Sequence, residues 1–309
     1  MNPLFKINNL EKGLFLNRPS KLNKSPFVGD VLVNDEEKIV HVPSLDLGGK
    51  CIENTTVYMK KSKNSGKKGK YGTPCCDYIC QAVIIDEIEN NGKKIICGAH
   101  PSLGETIVDN LLKVGQVFAP LENKKITYKK REICNVAECD MRSDFLVKTE
   151  DDVYYLIEVK TVVDTDYDPK YKSEYDNGSR KVIHYSKNTD QYVRKALFPW
   201  GRGNQKGPDG EKVVSARAIK HVREMTDIIS GEKCDINYTP LIPVIIFVVV
   251  REDAEIFRPN KEGCSSFCRY LQEAEDMGVN LIAIRTKFIQ EEENSLSVYY
   301  DKPMPIEFS

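Results

Sequence analysis

The feature that most constrains the fold of this chain is an unbroken apolar run, PLIPVIIFVVV, at residues 240–250. It is far shorter than the ~20 residues that a membrane-spanning helix needs, so a buried strand is the better interpretation. Strands that are covered on both faces read as continuous hydrophobic runs, because neither face contacts water. The sequence therefore predicts a central strand with other structure packed on both sides of it.

Helical patterns flank this run in the sequence. Ser215 is the predicted N-cap of a helix that extends to Ile229. A second helix is expected at residues 265–278, followed by a final strand at 279–286. Strands joined by helices favour an α/β sheet that is covered on both faces, and this is the fold class that we predict for the longer part of the chain.

The first third of the chain has a different pattern. Short strand-like runs broken by turn residues occupy residues 26–101, which suggests a small barrel or a sandwich. The next segment, 102–115, has a capping-box pattern at Ser102 and Glu105, one apolar face and a terminal glycine, so we expect a helix. A boundary close to this helix divides the chain into two predicted domains, residues 1–100 and 101–309.

Two later segments show no clear period. Residues 163–195 are polar and are interpreted as an inserted surface loop with some helix. The glycine-rich stretch at 198–212 is expected to be irregular.

Composition limits the compartment and the kind of partner. The formal net charge is only -1, so any surface for an acidic partner must be local. The N-terminus has no apolar run after its first basic residues, which argues against secretion. The 10 cysteines lack zinc-finger spacing and are then expected to be reduced thiols. We predict a cytoplasmic or nuclear protein that has no membrane-spanning segment.

A charged pair within an apolar strand marks the candidate site. The strand-like runs at 142–148 and 153–163 predict an antiparallel hairpin, which brings Asp144 beside Glu158, with Lys160 on the same face. Adjacent carboxylates repel one another unless they share a proton or a cation, and Mg²⁺ accepts one or two carboxylates together with waters and phosphate oxygens. One interpretation is a magnesium site in which Lys160 orients a water for attack on phosphorus; the other is a structural ion pair at the end of a strand.

Basic residues outside the hairpin suggest phosphate contacts. The helix that begins at Ser215 has a polar stripe opposite its apolar face, which suits a phosphate backbone or is a solvated surface. The stripe consists of Arg217, Lys220, His221 and Glu224. The glycine-containing segment at 60–72 is a loop that either contacts phosphates or is plainly solvated. Its lysines are Lys60, Lys61, Lys63, Lys67, Lys68 and Lys70.

The hairpin and several other segments resemble one known family. ECDMRSDFLVKTEDDVYYLIEVKTV, at 138–162, is similar to the R-x-D-F and Y-x-E-V-K segment of the sugar fermentation stimulation protein A family, and the similarity continues in ALFPWGRG, SARAIKHVREM and VIIFVVVREDAEIFRPN. It covers about residues 25–290 in the family's order. The resemblance implies a small OB-like β-barrel followed by a PD-(D/E)XK nuclease-like mixed sheet flanked by helices, in a DNA-binding protein linked to the regulation of sugar metabolism.

The resemblance also implies roles for individual residues. It makes Asp144 and Glu158 the metal ligands and Lys160 the lysine of the motif. Glu132 corresponds to an upstream acid of the family, with Glu138 as a competing match. The basic positions of the family are matched by Arg142, Arg217, Lys220 and His221.

One departure bears on activity, because the family's Phe-Pro-Asp-Ala is Phe-Pro-Trp-Gly at 198–201 and an acid near the site is missing. The leading prediction is a nucleic-acid-binding protein, with DNA as the expected partner and Mg²⁺ or Mn²⁺ as cofactor, and with a nuclease-type site at Asp144, Glu158, Lys160 and Glu132. Whether it is an enzyme is left open, as is a homodimer. The alternatives are a non-catalytic DNA-binding regulator that keeps the nuclease scaffold, and a protein-interaction scaffold.

Overall fold

Two β-sheets form most of this α/β protein in its computed structural model. The residues that the structure describes are 2–42, 51–115, 119–175, 183–187, 191–201 and 203–308. The first sheet contains β2 (Leu10–Asn17), β3 (Val28–Val33), β4 (Glu36–His41), β5 (Thr56–Lys61), β6 (Tyr78–Ile85) and β7 (Ile95–Gly98). The strands pair in the order β4-β3-β2-β5-β6-β7, and β4 also pairs with β6 in parallel, which closes a five-stranded barrel. The expectation of an OB-like barrel is confirmed.

The second sheet has seven strands and carries the candidate site. Its strands are β1 (Phe5–Ile7), β8 (Ile126–Cys134), β9 (Arg142–Thr149), β10 (Tyr154–Val162), β15 (Leu241–Val249), β17 (Asn280–Glu292) and β18 (Ser295–Met304). They pair in the order β1-β18-β17-β15-β10-β9-β8, with β15 parallel to both of its neighbours and every other pair antiparallel. The apolar run is the central strand β15, as predicted, and it is buried from Pro243 onward.

The end of the chain differs from the prediction. The final strand expected at 279–286 is wrong in extent, because β17 continues to Glu292 and β18 follows it. Strand β1 then pairs with β18. The barrel strands thus lie within residues 1–100, but the first strand of that segment belongs to the second sheet.

Helices cover both faces of the second sheet. They are α1 (Leu103–Val114) on one face and α3 (Ala216–Ser230) and α4 (Ser265–Met277) on the other; a short helix, α2 (Lys172–Tyr175), lies in the inserted segment. Alternate residues of β10 separate the faces: Ile157 and Val159 pack with α1 and the barrel, whereas Leu156 and Val162 pack with α3 and α4. The three predicted helices are confirmed, as is the mixed sheet between helices. None of the helices in the described ranges is long and apolar enough to cross a membrane.

The two segments without periodicity are more ordered than the sequence suggested. Residues 163–195 include β11 (Asp164–Thr165), which pairs with β12 (Lys195–Phe198), and β12 pairs with β16 (Ile256–Pro259). The interpretation of the whole segment as a surface loop is wrong, because residues 164–168 are buried. The stretch at 198–212 contains a hairpin, β13 (Gln205–Lys206) with β14 (Lys212–Val213), instead of being irregular throughout.

Buried ion pairs attach the inserted segment to the barrel. Glu87, which follows β6 and is 2% exposed, accepts hydrogen bonds from Arg194 and from Arg251 Nη2, the latter at 2.8 Å. The hydroxyl of Tyr167 donates to Glu87 Oε1 at 3.0 Å. Charges are stable in such an interior only when they are paired and hydrogen-bonded, so this network explains why a polar segment lies inside the protein.

Candidate metal and phosphate site

The candidate site is built on the hairpin of β9 and β10. The strands pair antiparallel with Ile157 opposite Phe145, as the hairpin prediction required. The next positions, Glu158 and Asp144, therefore lie beside each other. The amide of Val159 donates to Asp144 Oδ2 at 2.6 Å, which holds this carboxylate against β10.

Glu158 is a buried carboxylate in which only one oxygen is paired. The residue is 3% exposed, and its Oε1 accepts a hydrogen bond from Lys160 Nζ at 2.5 Å and contacts His221 Nδ1 at 2.6 Å. Oε2 has no hydrogen-bond partner among the described residues and is closed to solvent. Burial alone would raise the pKa of Glu158, but Lys160 and His221 more than offset it, so the pKa is lowered. Glu158 is therefore ionised at neutral pH, with one oxygen unsatisfied.

Asp144 is a half-buried carboxylate that holds its proton more tightly than Glu158 does. Burial raises the pKa of Asp144 to about 7, the negative charge of Glu158 adds to this, and the amide of Val159 offsets it only in part. In the described part of the chain, no group of three or more His, Cys, Asp or Glu side chains could hold a metal ion. The pair nevertheless fits Mg²⁺, which takes one or two carboxylates and completes its shell with waters and phosphate oxygens.

A third carboxylate near the pair, Glu105, was missed by sequence reasoning. Ser102 does not cap α1 with its side chain, so the predicted capping box does not form. Glu105 instead contacts Arg131 Nη2 at 3.4 Å. Burial raises the pKa of Glu105, and the negative charge of Glu132 raises it further. Glu105 in turn raises the pKa of Asp144. No local pattern distinguishes this glutamate from a capping residue, because only the packing of α1 on β10 places it here.

Glu132 and Arg142 lie at the rim and bind each other. Arg142 Nη1 is 3.0 Å from a carboxylate oxygen of Glu132, and both side chains are about half exposed. Glu132 adopts a left-handed backbone conformation (φ 52°), which is uncommon for a residue with a side chain. The negative charge of Glu132 raises the pKa of Glu105. The competing match, Glu138, is exposed after β8.

The polar stripe of α3 is only partly exposed, so the sequence interpretation of this helix needs a correction. His221 and Glu224 are 3% and 9% exposed and do not face solvent as expected. His221 cannot offer a free ring to phosphates because it faces Glu158 and accepts a hydrogen bond from Arg217 Nε at 3.4 Å. Arg217 and Lys220 are exposed as predicted, and Lys220 pairs with Asp140 at 2.5 Å.

The lysine segment belongs to the barrel. Lys60 and Lys61 are the last residues of β5, and the other four lysines lie on the exposed loop that leads to β6. The loop is folded on itself, with the Gly69 amide donating to the Thr73 carbonyl at 2.8 Å. These lysines are exposed apart from Lys60, which is half-buried.

The chain is similar to proteins of one family along nearly its whole length. The domain described as "Sugar fermentation stimulation protein RE domain" matches residues 208–292. A sugar fermentation stimulation protein homolog from Carboxydothermus hydrogenoformans is 26% identical over 93% of this chain and 93% of the relative. A homolog from Clostridium beijerinckii is 26% identical over 90% of this chain and 91% of the relative. These matches all point to the sugar fermentation stimulation protein (SfsA) family, to which this chain is similar.

A solved structure of an SfsA protein has the same two-part fold as this chain. Pyrococcus furiosus SfsA, solved in complex with Ca²⁺, superimposes with a TM-score of 0.65 at 17% identity over 100% of both chains. A similarity at this level of sequence identity shows that the two proteins share a fold. The domain match at 208–292 contains α3, β15, α4 and the whole of β17, whereas Asp144, Glu158 and Lys160 lie outside it.

Proposed function

We propose that this chain binds nucleic acid and cleaves phosphodiester bonds at a divalent-metal site held by Asp144 and Glu158. The observation that carries the proposal is the buried carboxylate pair, in which Glu158 Oε2 has no partner among the described residues. A buried anionic oxygen without a partner costs on the order of several kcal/mol. A cation bound there would remove that cost.

The metal complex of the structural relative agrees with this donor set. The Pyrococcus furiosus SfsA structure contains Ca²⁺, a hard cation that prefers oxygen ligands as Mg²⁺ does. In this chain, Asp144 and Glu158 offer carboxylate oxygens side by side. When bound, a Mg²⁺ or Mn²⁺ ion would stabilise the negative charge that develops on the phosphoryl oxygens.

The chain's own residues supply the remaining parts of the reaction. Lys160 donates one N–H to Glu158, and an ammonium group has three. The others can orient a water toward phosphorus or bind a phosphate oxygen. Glu105, a carboxylate with a raised pKa, is suited to accept a proton from that water. Arg217, exposed at the first turn of α3, is placed to bind a neighbouring phosphate.

The barrel offers a second surface for nucleic acid. In OB folds, the loop after the first strand and the loop after the fourth bind oligonucleotides, and here these are residues 18–27 and 62–77. The Asn23 side chain donates to the Pro74 carbonyl at 3.2 Å, so the two loops touch. Tyr71 is 87% exposed at the tip of the second loop, among the predicted lysines. Exposed aromatic rings beside basic groups bind single strands by stacking, at about 1–3 kcal/mol per base.

A cleavage assay tests the proposal. Single-stranded, duplex and branched DNA and RNA are incubated with the wild type and with Glu158→Ala, in Mg²⁺ or Mn²⁺ and in EDTA. We expect metal-dependent cutting that falls by about a hundredfold or more in the variant, because the charge that holds the metal is lost. Asp152→Asn is the matched control, since Asp152 lies in the turn of the same hairpin and its side chain is 82% exposed.

Two outcomes would contradict parts of the proposal. Salt-dependent binding without cutting, in the wild type as in Glu158→Ala, would refute catalysis and leave the non-catalytic DNA-binding regulator. The absence of any salt-dependent affinity for DNA or RNA would refute nucleic-acid binding and favour the interaction scaffold.

A further inference from the structure

A second basic cleft lies along α3, separate from the carboxylate pair. It is a cavity of about 360 Å³ between the β13–β14 hairpin and α3. The lining residues are Lys206, Gly207 and Pro208 of the hairpin and Ala216, Lys220, Arg223, Glu224 and Asp227 of the helix. We name it the hairpin–α3 cleft.

The hairpin wall of the cleft is held at both ends. At its base, Gln205 Oε1 accepts a hydrogen bond from the Ala216 amide at 2.8 Å, and the fully buried Val213 packs in the core. At its tip, Asp209 accepts hydrogen bonds from Arg269 Nη2 at 2.6 Å and from the Tyr270 hydroxyl at 3.1 Å. A wall fixed in this way loses little conformational entropy when a ligand binds.

The cleft has three basic side chains with little competition from carboxylates. Among the described residues, neither Lys206 nor Arg223 forms an ion pair; Arg223 lies over the Tyr270 ring at 5.3 Å. Lys220 pairs with Asp140, whose side chain is 94% exposed. A surface pair of this kind contributes at most about 1 kcal/mol, so an anionic ligand can displace it.

The two acidic side chains of the cleft are turned toward another lysine. Lys233 forms a hydrogen-bonded ion pair with Glu224 and lies 3.8 Å from Asp227. These contacts offset the negative charges of Glu224 and Asp227, so the cleft keeps an excess of positive charge. Its size and charge suit phosphate groups.

We propose that the hairpin–α3 cleft binds the backbone phosphates of the nucleic-acid strand that occupies the Asp144–Glu158 site, beyond the nucleotides at that site. This inference rests on the proposed function. Helix α3 connects the two places, because His221 contacts Glu158 and Arg217 contacts His221. From Arg217 to Arg223 the helix rises about 9 Å, which equals roughly two to three nucleotide steps along a B-form strand.

Two consequences distinguish this cleft from a merely charged surface. Affinity should increase with strand length, because only a strand of several nucleotides can reach both places. Each phosphate contact on a single strand should also add about 0.7 to the slope of log affinity against log salt. Substitutions of the cleft residues should therefore weaken the binding of long strands and leave the binding of short strands unchanged.

The test compares binding of labelled single-stranded DNA of 20 and of 2 nucleotides, by fluorescence anisotropy in EDTA across a salt series. Replacing Lys206→Gln and Arg223→Gln together should reduce the slope for the long strand by about 1.4, which corresponds to about 25-fold weaker binding at 0.1 M salt. The short strand should be unaffected. Lys212→Gln is the matched control, because Lys212 lies opposite Lys206 in the hairpin but does not line the cleft. Lys206→Arg should retain wild-type affinity.

The outcomes separate this inference from the proposed function. If the wild type binds and cuts DNA but the double variant behaves like Lys212→Gln, the cleft inference is refuted and the proposed function stands. An equal loss for both strand lengths also refutes it, because the residues would then act at the carboxylate site or on the fold. If the wild type has no affinity for either strand, both proposals fail together.

Discussion

Replacing Asp144 with asparagine should stabilise the metal-free protein at neutral and higher pH. Asparagine has nearly the same shape and keeps an oxygen that can accept the Val159 amide, which lies 2.6 Å from Asp144 Oδ2. The substitution removes a carboxyl whose pKa is raised from 3.8 to about 7, by burial first and by the charge of Glu158 second. The cost of ionising Asp144 beside Glu158 is therefore absent from the variant.

The magnitude follows from the two pKa values. Between about pH 4 and pH 7 the folded protein keeps a proton on Asp144 and the unfolded chain does not, so wild-type stability falls as the pH rises through this window. Each unit of pKa difference corresponds to about 1.4 kcal/mol, which sets an upper limit of roughly 4 kcal/mol. Because Asp144 is only half-buried, solvent screening reduces this to about 2–3 kcal/mol.

Urea unfolding at several pH values in EDTA measures this effect. The difference in unfolding free energy, Asp144→Asn minus wild type, should grow by about 2–3 kcal/mol from pH 4 to pH 8 and then stay constant. Asp152→Asn, an Asp-to-Asn change in the exposed turn of the same hairpin, is measured alongside for comparison. Mg²⁺ should raise the melting temperature of the wild type more than that of Asp144→Asn, because binding stabilises the folded state. A difference that does not change with pH, or an asparagine variant that is the less stable protein at pH 8, would refute the reasoning.

Three further substitutions test other contacts. His221→Phe leaves Glu158 Oε1 with Lys160 alone, and should cost about 3 kcal/mol in urea unfolding and weaken metal affinity about 10- to 100-fold by calorimetry. Gly104→Ala places a Cβ 2.4 Å from the Thr161 hydroxyl, so thermal unfolding should show a loss of about 1–3 kcal/mol as α1 shifts from β10. Arg194→Met removes one of the two buried guanidinium groups that pair with Glu87, and should cost about 3–5 kcal/mol in urea unfolding.

Each of these predictions has a contrary result. Unchanged metal affinity in a folded His221→Phe protein would show that the histidine does not position Glu158. A Gly104→Ala variant as stable as the wild type would mean that α1 moves without cost. An Arg194→Met variant with the same unfolding free energy as the wild type would show that the buried network contributes no net stability.

Local sequence patterns predicted the parts of the fold that depend on neighbours in the chain. Ser215 accepts a hydrogen bond from the Ala218 amide and begins α3, and Gly231 ends it, as the capping signals indicated. The hairpin of β9 and β10 follows from its alternating pattern and short turn. In contrast, the sequence predicted that the stripe with His221 is exposed, either to a phosphate backbone or to solvent, because helical spacing alone does not show which polar residues face a buried partner.

The sequence by itself determined the central strand, the helices and the adjacency of Asp144 and Glu158, because these depend on side-chain alternation and on short turns. The tertiary structure placed two residues from helices distant in the chain near this pair: Glu105 raises the pKa of Asp144, and His221 contacts Glu158. It also decided that Glu158 is buried with one oxygen paired. The reason is physical: burial and electrostatic coupling depend on distances between elements that only the packed sheet and helices define.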